Sequence, residues 1–425
     1  MMYFNYDLEP RTDYLCIDCR SFYASCEAVM RGLHPLETML VVLSGADRPG
    51  GLVLSASPKA KEVLGISNVT RSYDVPKHKD LVIAPPRMYE YIKINMLILE
   101  TIQKYVPAED VHVYSIDELF IRYQNVKRLY NNADVKLFAR ALMKKIFEAT
   151  GIYTATGIGD NMLLAKLPLD NEAKKNADSI AIWRYEDVPS KVWGIKKMTD
   201  FWGIGSRTEK NLKGKGIMTI EELANYDPYR LKKSMGLIGA QLHAHANGID
   251  RSQIGQEYKP VEKSLSNSQI LLKDYDDPRD IKVIIREMSE LIAARVRHIG
   301  AQTSTIGLFI GYSKIECIHG FSKQMKILPT NNSKVITSYM LKIFEDNYRP
   351  GLFVRHIGVS CSHFSYDTHI QLSLFDDIDQ QIKQAKIDIL TDKIREKFGF
   401  AAIIHASSLL ENATAVSRSQ KIGGH

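Results

Sequence analysis

The sequence is short of the features that mark secreted, membrane and fibrous proteins. It has five cysteines in 425 residues, too few and too irregularly spaced for a disulfide framework. Cys16 and Cys19 form one C-x-x-C, but no second pair or histidine follows at zinc spacing. No apolar run approaches the roughly 20 residues that span a bilayer, and no leader of secretory type is visible. A cytoplasmic protein without a membrane partner is therefore expected. Long internal repeats and low-complexity stretches are missing, which excludes solenoids and a largely disordered chain.

What is present is an ordinary globular composition, 45% hydrophobic and 25% charged, in a chain long enough for about two to four domains. The formal net charge is +7 and unevenly spread. Residues 251–365 hold 16 Lys and Arg against 11 Asp and Glu, and residues 186–250 hold 10 against 8. The 60 residues after 365 hold 7 against 8. A positive middle and later part suits a polyanionic partner; the alternative, a solvated surface with scattered lysines, would predict no such asymmetry.

Periodicity divides the chain. YLCID (14–18) reads as a buried strand, followed by a helix from about Ser21 to Arg31. Strand-like runs at 41–43 and 52–56 flank a turn-rich segment, and Ser57-Pro58 opens a short helix. Residues 87–105 and 134–150 are helical. VHVYSIDELFIRY (111–123) reads as two strands with an acidic pair between them, and YTATGIGDN as strand then turn. From about 186 to 250, short helices with Gly turns replace strands. A mixed pattern returns from Ser264, with a long helix over about 278–298, strands over 303–312 and 353–361, and a helix between them. A tail helix covers about 379–398.

The chemistry concentrates in three acids. Asp18 closes an apolar strand, and Asp117 and Glu118 sit at the junction of two others. A carboxylate at the end of a buried strand is costly without a cation or hydrogen-bond donors. Three of them on neighbouring strands suit Mg²⁺, and two such ions can drive an in-line displacement at phosphorus. Spacing alone equally allows Asp18 to cap the next helix and Asp117-Glu118 to form a turn.

IDCRSFYASCEAV (17–29) and YSIDELF (114–120) resemble the two metal-binding motifs of Y-family translesion DNA polymerases, in their UmuC/ImpB-like branch. The resemblance runs from about residue 13 to 410. It implies an α+β, multidomain right hand: palm 13–25 and 81–185, fingers 26–80, helix-hairpin-helix thumb 186–250, little finger 264–365, and a tail 366–425. It implies template-directed addition of dNTPs to a primer 3′ end with two Mg²⁺ ions. Asp18 and Asp117 would bridge both ions, Glu118 would bind the catalytic one, and the Cys19 carbonyl would complete the other. Tyr23 falls at the steric gate against a 2′-hydroxyl, beside Phe22 in the nucleotide site; its alternative role is that of a core aromatic.

SPKAKEVLGI (57–66) is similar to the fingers segment and places Lys61 on the triphosphate; Pro58 stands where many members have a phosphate-contacting Tyr, so that contact is lost. Lys59 could instead face solvent. GIGDNMLLAKLPLDNEAKK (157–175) resembles a block whose second Lys binds triphosphate. Lys174 matches best and Lys175 competes, because the spacing from Lys166 is one residue longer than in the family. The small residues Ser55, Ala56 and Ser57 would either leave a low roof over the nascent base pair or simply permit close packing. FWGIGSRTEKNLKGKGIMTIEELA (201–224) resembles a helix-hairpin-helix in which Gly203 and Gly205 approach DNA phosphate; Gly turns also end many ordinary helices. His243 and His245 read as structural or surface residues. QLSLF (371–375) is similar to a sliding-clamp motif anchored by Gln371, Leu372, Leu374 and Phe375; otherwise it is a linker. Primer-template DNA, dNTP, a sliding clamp and other damage-response proteins are the implied partners. No second acidic cluster suggests an exonuclease, so proofreading is not expected. A catalytically dead scaffold and a nucleotide cyclase are the rival readings, and the second leaves the hairpin and QLSLF without a role.

Overall fold

A computed structural model of the chain describes residues 4–45, 51–131, 133–256, 260, 262–366 and 378–420. It divides into two units, residues 1–257 and 258–425. No helix among the described residues is long and apolar enough to cross a membrane.

The first unit is built on β1 (Tyr14–Cys19), whose continuous apolar run buries both faces. Along the chain follow α1 (Phe22–Met30), β2 (Leu40–Ser44), β3 (Leu52–Ala56), α2 (Pro58–Leu64), β4 (Val82–Ala84), α3 (Met88–Gln103), β5 (Val111–Val113) and β6 (Glu118–Arg122). Next come α4 (Tyr123–Leu129), α5 (Val135–Thr150), β7 (Thr154–Gly159), α6 (Met162–Pro168) and β8 (Ile180–Trp183). The main sheet has the order β5-β6-β1-β7-β8, with β1 antiparallel to both neighbours.

The two-residue period of β1 sorts its side chains. Leu15, Ile17 and Cys19 join a core with Phe22, Tyr91, Ile98, Phe138, Leu142 and Ile146 from α1, α3 and α5. Tyr14 and Cys16 face the other way, onto Ala165 of α6 and Phe120 of β6. A second sheet, β3-β2-β4, carries α2. Its third strand lies past residue 80, in the segment assigned to the palm from sequence, yet it pairs in parallel with β2.

Residues 186–250 contain α7 (Ser206–Lys213), α8 (Ile220–Asn225) and α9 (Pro228–Ala246), and their Phe201, Leu212, Leu223 and Leu242 share one core with Leu163, Leu164 and Leu167 of α6 and Trp183 of β8. Residues near the start of the chain pack on this region. The Tyr6 ring stacks on Tyr185 at 5.0 Å and its hydroxyl donates to the Asn247 carbonyl at 3.0 Å.

The second unit contains β9 (Ser264–Tyr275), α10 (Pro278–His298), β10 (Gln302–Tyr312), β11 (Phe321–Thr330), α11 (Ser333–Asn347), β12 (Val354–Ser365), α12 (Ile378–Phe398) and α13 (Ala415–Ser419). Its antiparallel sheet has the order β11-β10-β12-β9. The α10 stripe Ile281, Ile284, Ile285, Met288, Ile292 and Val296 packs with Ile336, Met340 and Ile343 of α11 and with Ile306, Leu308 and Ile357 of the sheet. β9 and β11 have few apolar residues, because one side of each is exposed, which is why the apolar pattern shows only β10 and β12.

Candidate active site

Strand register brings two of the three acids together. Asp18 pairs with Glu118 across the β1–β6 ladder, and the Cys19 N–H donates to the Asp117 carbonyl at 2.9 Å. By alternation Asp18 and Glu118 project to the α6 side of the sheet with Cys16. The helix-cap alternative for Asp18 does not hold: the N-cap of α1 is Ser21, in left-handed backbone at φ 47°, without a side-chain cap. Asp117 accepts from the Ser115 hydroxyl at 2.6 Å.

Lysines answer the acids. Lys166 on α6 contacts Glu118 at 2.7 Å and Asp170 at 3.0 Å. Lys174 contacts Asp18 at 3.1 Å and Asp170 at 2.8 Å. Burial alone would lower the Lys166 ammonium, but Cys16, Glu118 and Asp170 facing it reverse that and keep it charged. The buried Cys16 thiol is pushed well up, so it donates to Glu118, at 3.0 Å. Asp18 is pushed up to about 6, chiefly by burial; Lys174 opposes this, and Asp117 and Glu118 add to it.

The residue spacing explains how Lys174 reaches Asp18. Residues Leu169–Ala173 wind as a π-helix, and the Lys174 N–H donates to the Leu169 carbonyl at 3.2 Å, five residues back. One wide turn absorbs the additional residue between Lys166 and Lys174. Lys175 is exposed and lines a different cavity, with Trp202 and Gly203. Arg20 secures the turn by donating to the Lys174 carbonyl at 2.9 Å.

Asp18, Cys19, Arg20, Asp117 and Lys174 line a cavity of about 420 Å³, with Ser21, Tyr23, Ser55, Pro58, Lys61 and Asn68 among its other walls. Lys61 donates to the Ser21 hydroxyl at 3.2 Å. Its ammonium is lowered by burial and by the charge of Lys174, so two cations that repel one another converge on one space. Lys59 instead pairs with Glu62 on the surface of α2 at 3.0 Å. Ser55 lies under the N–H of Ala24, which donates to it at 3.3 Å. Ser57 caps α2 and ties Leu40 to Thr38, so its small size serves packing.

Tyr23 forms part of the cavity wall and stacks on Tyr91 at 4.7 Å. Tyr91 donates to Glu27 at 2.7 Å, and the fully buried Glu27 also receives Arg87, at 2.7 and 2.8 Å, and Arg31. Phe22 also borders the cavity, yet it is only 2% exposed and belongs mainly to the core.

In residues 186–250, Gly203 takes φ +95°, the left-handed region that favours glycine. A Cβ added at Gly205 would meet nothing within 4 Å, so the fold itself does not demand glycine there, and the N-terminus of α7 is open to a close neighbour. Trp202 donates to the Tyr114 hydroxyl at 3.3 Å beside this turn. His243 and His245 are buried, and His245 stacks with Trp202 at 6.2 Å, which leaves the structural role of the two expected. The clamp-like residues Gln371, Leu372, Leu374 and Phe375 lie outside the described residues.

Among the described residues no three Asp, Glu, His or Cys side chains enclose a metal position as they stand. Glu118 is turned to Lys166 and Cys16, and Asp18 to Lys174. The donor set nevertheless fits hard divalent cations: it is all carboxylate and carbonyl oxygen, and burial keeps the Asp18 carboxyl raised even with Lys174 beside it.

Comparison with known proteins gives concordant matches. The impB/mucB/samB family matches residues 17–170, and the C-terminal domain of that family matches residues 262–374. The chain is 40% identical to a putative UV-damage repair protein UvrX of Bacillus subtilis (strain 168), over 99% of each chain. It is 32% identical to DNA polymerase IV 2 of the same organism, over 96% of this chain and 97% of the other. Among solved structures, a Y-family DNA polymerase chimera of Dbh and Dpo4 superposes with TM-score 0.64 at 20% identity, covering 84% of this chain and 100% of the other.

Proposed function

The chain belongs to the impB/mucB/samB family of Y-family translesion DNA polymerases, and from that premise we propose how its own residues divide the work. It is a DNA-directed DNA polymerase that extends a primer 3′ end with dNTPs in damage-tolerant synthesis, and divalent metal serves its nucleotidyl transfer. The observation that carries the assignment of residues is the cross-strand pairing of Asp18 with Glu118, beside Asp117, at a cavity that two lysines enter.

Asp18, Asp117, Glu118 and the Cys19 carbonyl would hold two Mg²⁺ ions, which when bound favour ionisation of the primer hydroxyl and stabilise the leaving pyrophosphate. Lys61 and Lys174 bind and orient the triphosphate, and the repulsion between them is relieved by its charge. Arg20 fixes the turn from which Lys174 extends. Tyr23, braced by Tyr91, closes the space beneath the sugar and excludes a 2′-hydroxyl. Gly203 and Gly205 let the N-terminus of α7 approach a DNA phosphate.

The sliding clamp is assigned to Gln371, Leu372, Leu374 and Phe375, where apolar anchors would tether the enzyme and raise its local concentration on DNA. Replacing Gln371, Leu374 and Phe375 with Ala should abolish stimulation of synthesis by the clamp; equal stimulation of variant and parent refutes this assignment.

Primer extension across undamaged and damaged templates tests the reading. Asp117→Asn should reduce extension by about three orders of magnitude or more with little change in DNA affinity. Tyr23→Ala should raise ribonucleotide insertion relative to deoxyribonucleotide. Near-parental extension by the first variant overturns the metal assignment, and an unchanged sugar ratio in the second reduces Tyr23 to packing.

A further inference from the structure

Helix α12 lies beyond both family matches, which end at residue 374. Its inner face is fixed by carboxylates. Asp392 receives Arg297 at 2.6 and 2.9 Å. Asp388, 6% exposed, receives Arg297 at 3.2 Å, the Ser333 N–H at 2.8 Å and Gln384 at 3.0 Å. The described ion pairs of this helix therefore draw on Asp388 and Asp392.

Opposite that face stand Lys383, Lys386, Leu390, Lys393 and Lys397, all exposed. At 3.6 residues per turn they fall within an arc of about 80° and extend about 21 Å along the axis. None of the four lysines is in a described ion pair. Between Lys383 and Lys397 this arc contains no acidic residue; Asp379 shares it only at the first turn. Cations at these positions repel a second copy of the helix, which excludes a coiled coil through this stripe.

We propose that the outer face of α12 is a second DNA contact of this polymerase, a row of point charges that follows the phosphate backbone independently of sequence. A length of about 21 Å spans about six base-pair steps. Lysine is depleted from protein–protein interfaces, and within the row only Leu390 is apolar, the exposed Ile387 and Ile389 lying on its two flanks, so an acidic protein is the poorer match. A membrane surface would need one continuous apolar face alongside the basic one; the exposed Ile382 and Ile389 lie on one flank of the row and Ile387 and Phe398 on the other, and the face opposite the lysines is held by the clasp to Arg297. The inference rests on the chain acting on DNA.

The test uses the full chain and a fluorescent primer-template of about 30 base pairs. The quadruple variant K383Q/K386Q/K393Q/K397Q is compared with the parent and with the charge-preserving K383R/K386R/K393R/K397R by anisotropy across a salt series. At about 0.1 M salt the Gln variant should show Kd raised about tenfold or more, and its slope of log K against log salt should be shallower by about 2 to 4. The Arg variant should stay close to the parent. Unchanged Kd and slope in the Gln variant overturn the proposal, whatever other partner the face serves. Equal loss in the Arg variant overturns it too, since charge would not be the cause. Primer extension by the parent separates the two levels: a parent that extends primers while the slope stays fixed refutes only the α12 contact, and a parent that does not extend refutes the functional reading beneath it.

Discussion

The two units each contain a partly buried cluster of carboxylates answered by cations, and the two clusters are built for opposite ends. In the second unit Arg297 gives its guanidinium to Asp388 and Asp392 and also donates to the Asn331 carbonyl at 2.8 Å and the Ser333 hydroxyl at 2.9 Å. A planar fork so fully engaged is a clasp, and it holds the tail helix to α10 and α11. In the first unit Lys166 and Lys174 share Asp170 while meeting Glu118 and Asp18. Ammonium groups on flexible stems can be displaced one at a time, and this cluster opens onto a cavity. The difference teaches that the same charge balance is structural where the cation is a saturated arginine, and exchangeable where it is lysine beside open space.

The comparison breaks most visibly at Arg297. Arg297→Met should leave Asp388 buried without its cation and cost about 3–5 kcal/mol of stability in the second unit, read as a lower melting temperature. Nucleotide insertion by the folded fraction at low temperature should remain within about twofold of the parent. A variant as stable as the parent would show that the clasp holds nothing.

Lys174→Met sharpens the other side. It should raise KM for dNTP about 10- to 100-fold, with Lys174→Arg recovering part of the loss and the melting temperature little changed. A variant that melts early with normal KM would make Lys174 a clasp like Arg297.

The smallest effect expected is a gain. Asp18 titrates at about 6 in the folded chain against an ordinary value near 4. The folded state therefore binds that proton more tightly, so the penalty is absent below about pH 4, grows between about 4 and 6, and is complete above. In chelator at pH 7.5, Asp18→Asn should stabilise the chain by about 1–2 kcal/mol, and with Mg²⁺ supplied the variant should not extend a primer that the parent extends. The gain should vanish at pH 4. Destabilisation at pH 7.5 would mean that the Lys174 pair outweighs burial.

Legibility from sequence followed the range of the interaction. Asp18, Asp117 and Glu118 stand out because acids at the ends of apolar strands break a local pattern. The helices α3, α5 and α10 show their period, whereas the apolar residues of α12 are spread around it. Lys166, Asp170, Arg20 and Glu27 have no local sequence mark of a role. Their meaning lies in contacts with Glu118, Lys174, Arg87 and Tyr91, from 4 to 154 positions away, and no local periodicity records such pairs. Strands β9 and β11 were obscured by their exposed sides, and β4 by having only three residues. Lys174 is legible only through the family resemblance, with a spacing from Lys166 one residue longer than in the family and Lys175 competing; the π-turn accommodates that residue.

That turn has a consequence for how substitutions and deletions accumulate in this gene. An in-frame loss of one codon between Lys166 and Lys174 would leave every named cation and acid present if Asn171 or Glu172 were removed. Because the wide turn has already absorbed one residue, the helix would return to ordinary winding and the residues downstream would keep their bearing, Lys174 on Asp18 included. The same loss from an ordinarily wound stretch would rotate every residue downstream by about 100°. Within this turn the winding, rather than the residue count, holds the lysine in place.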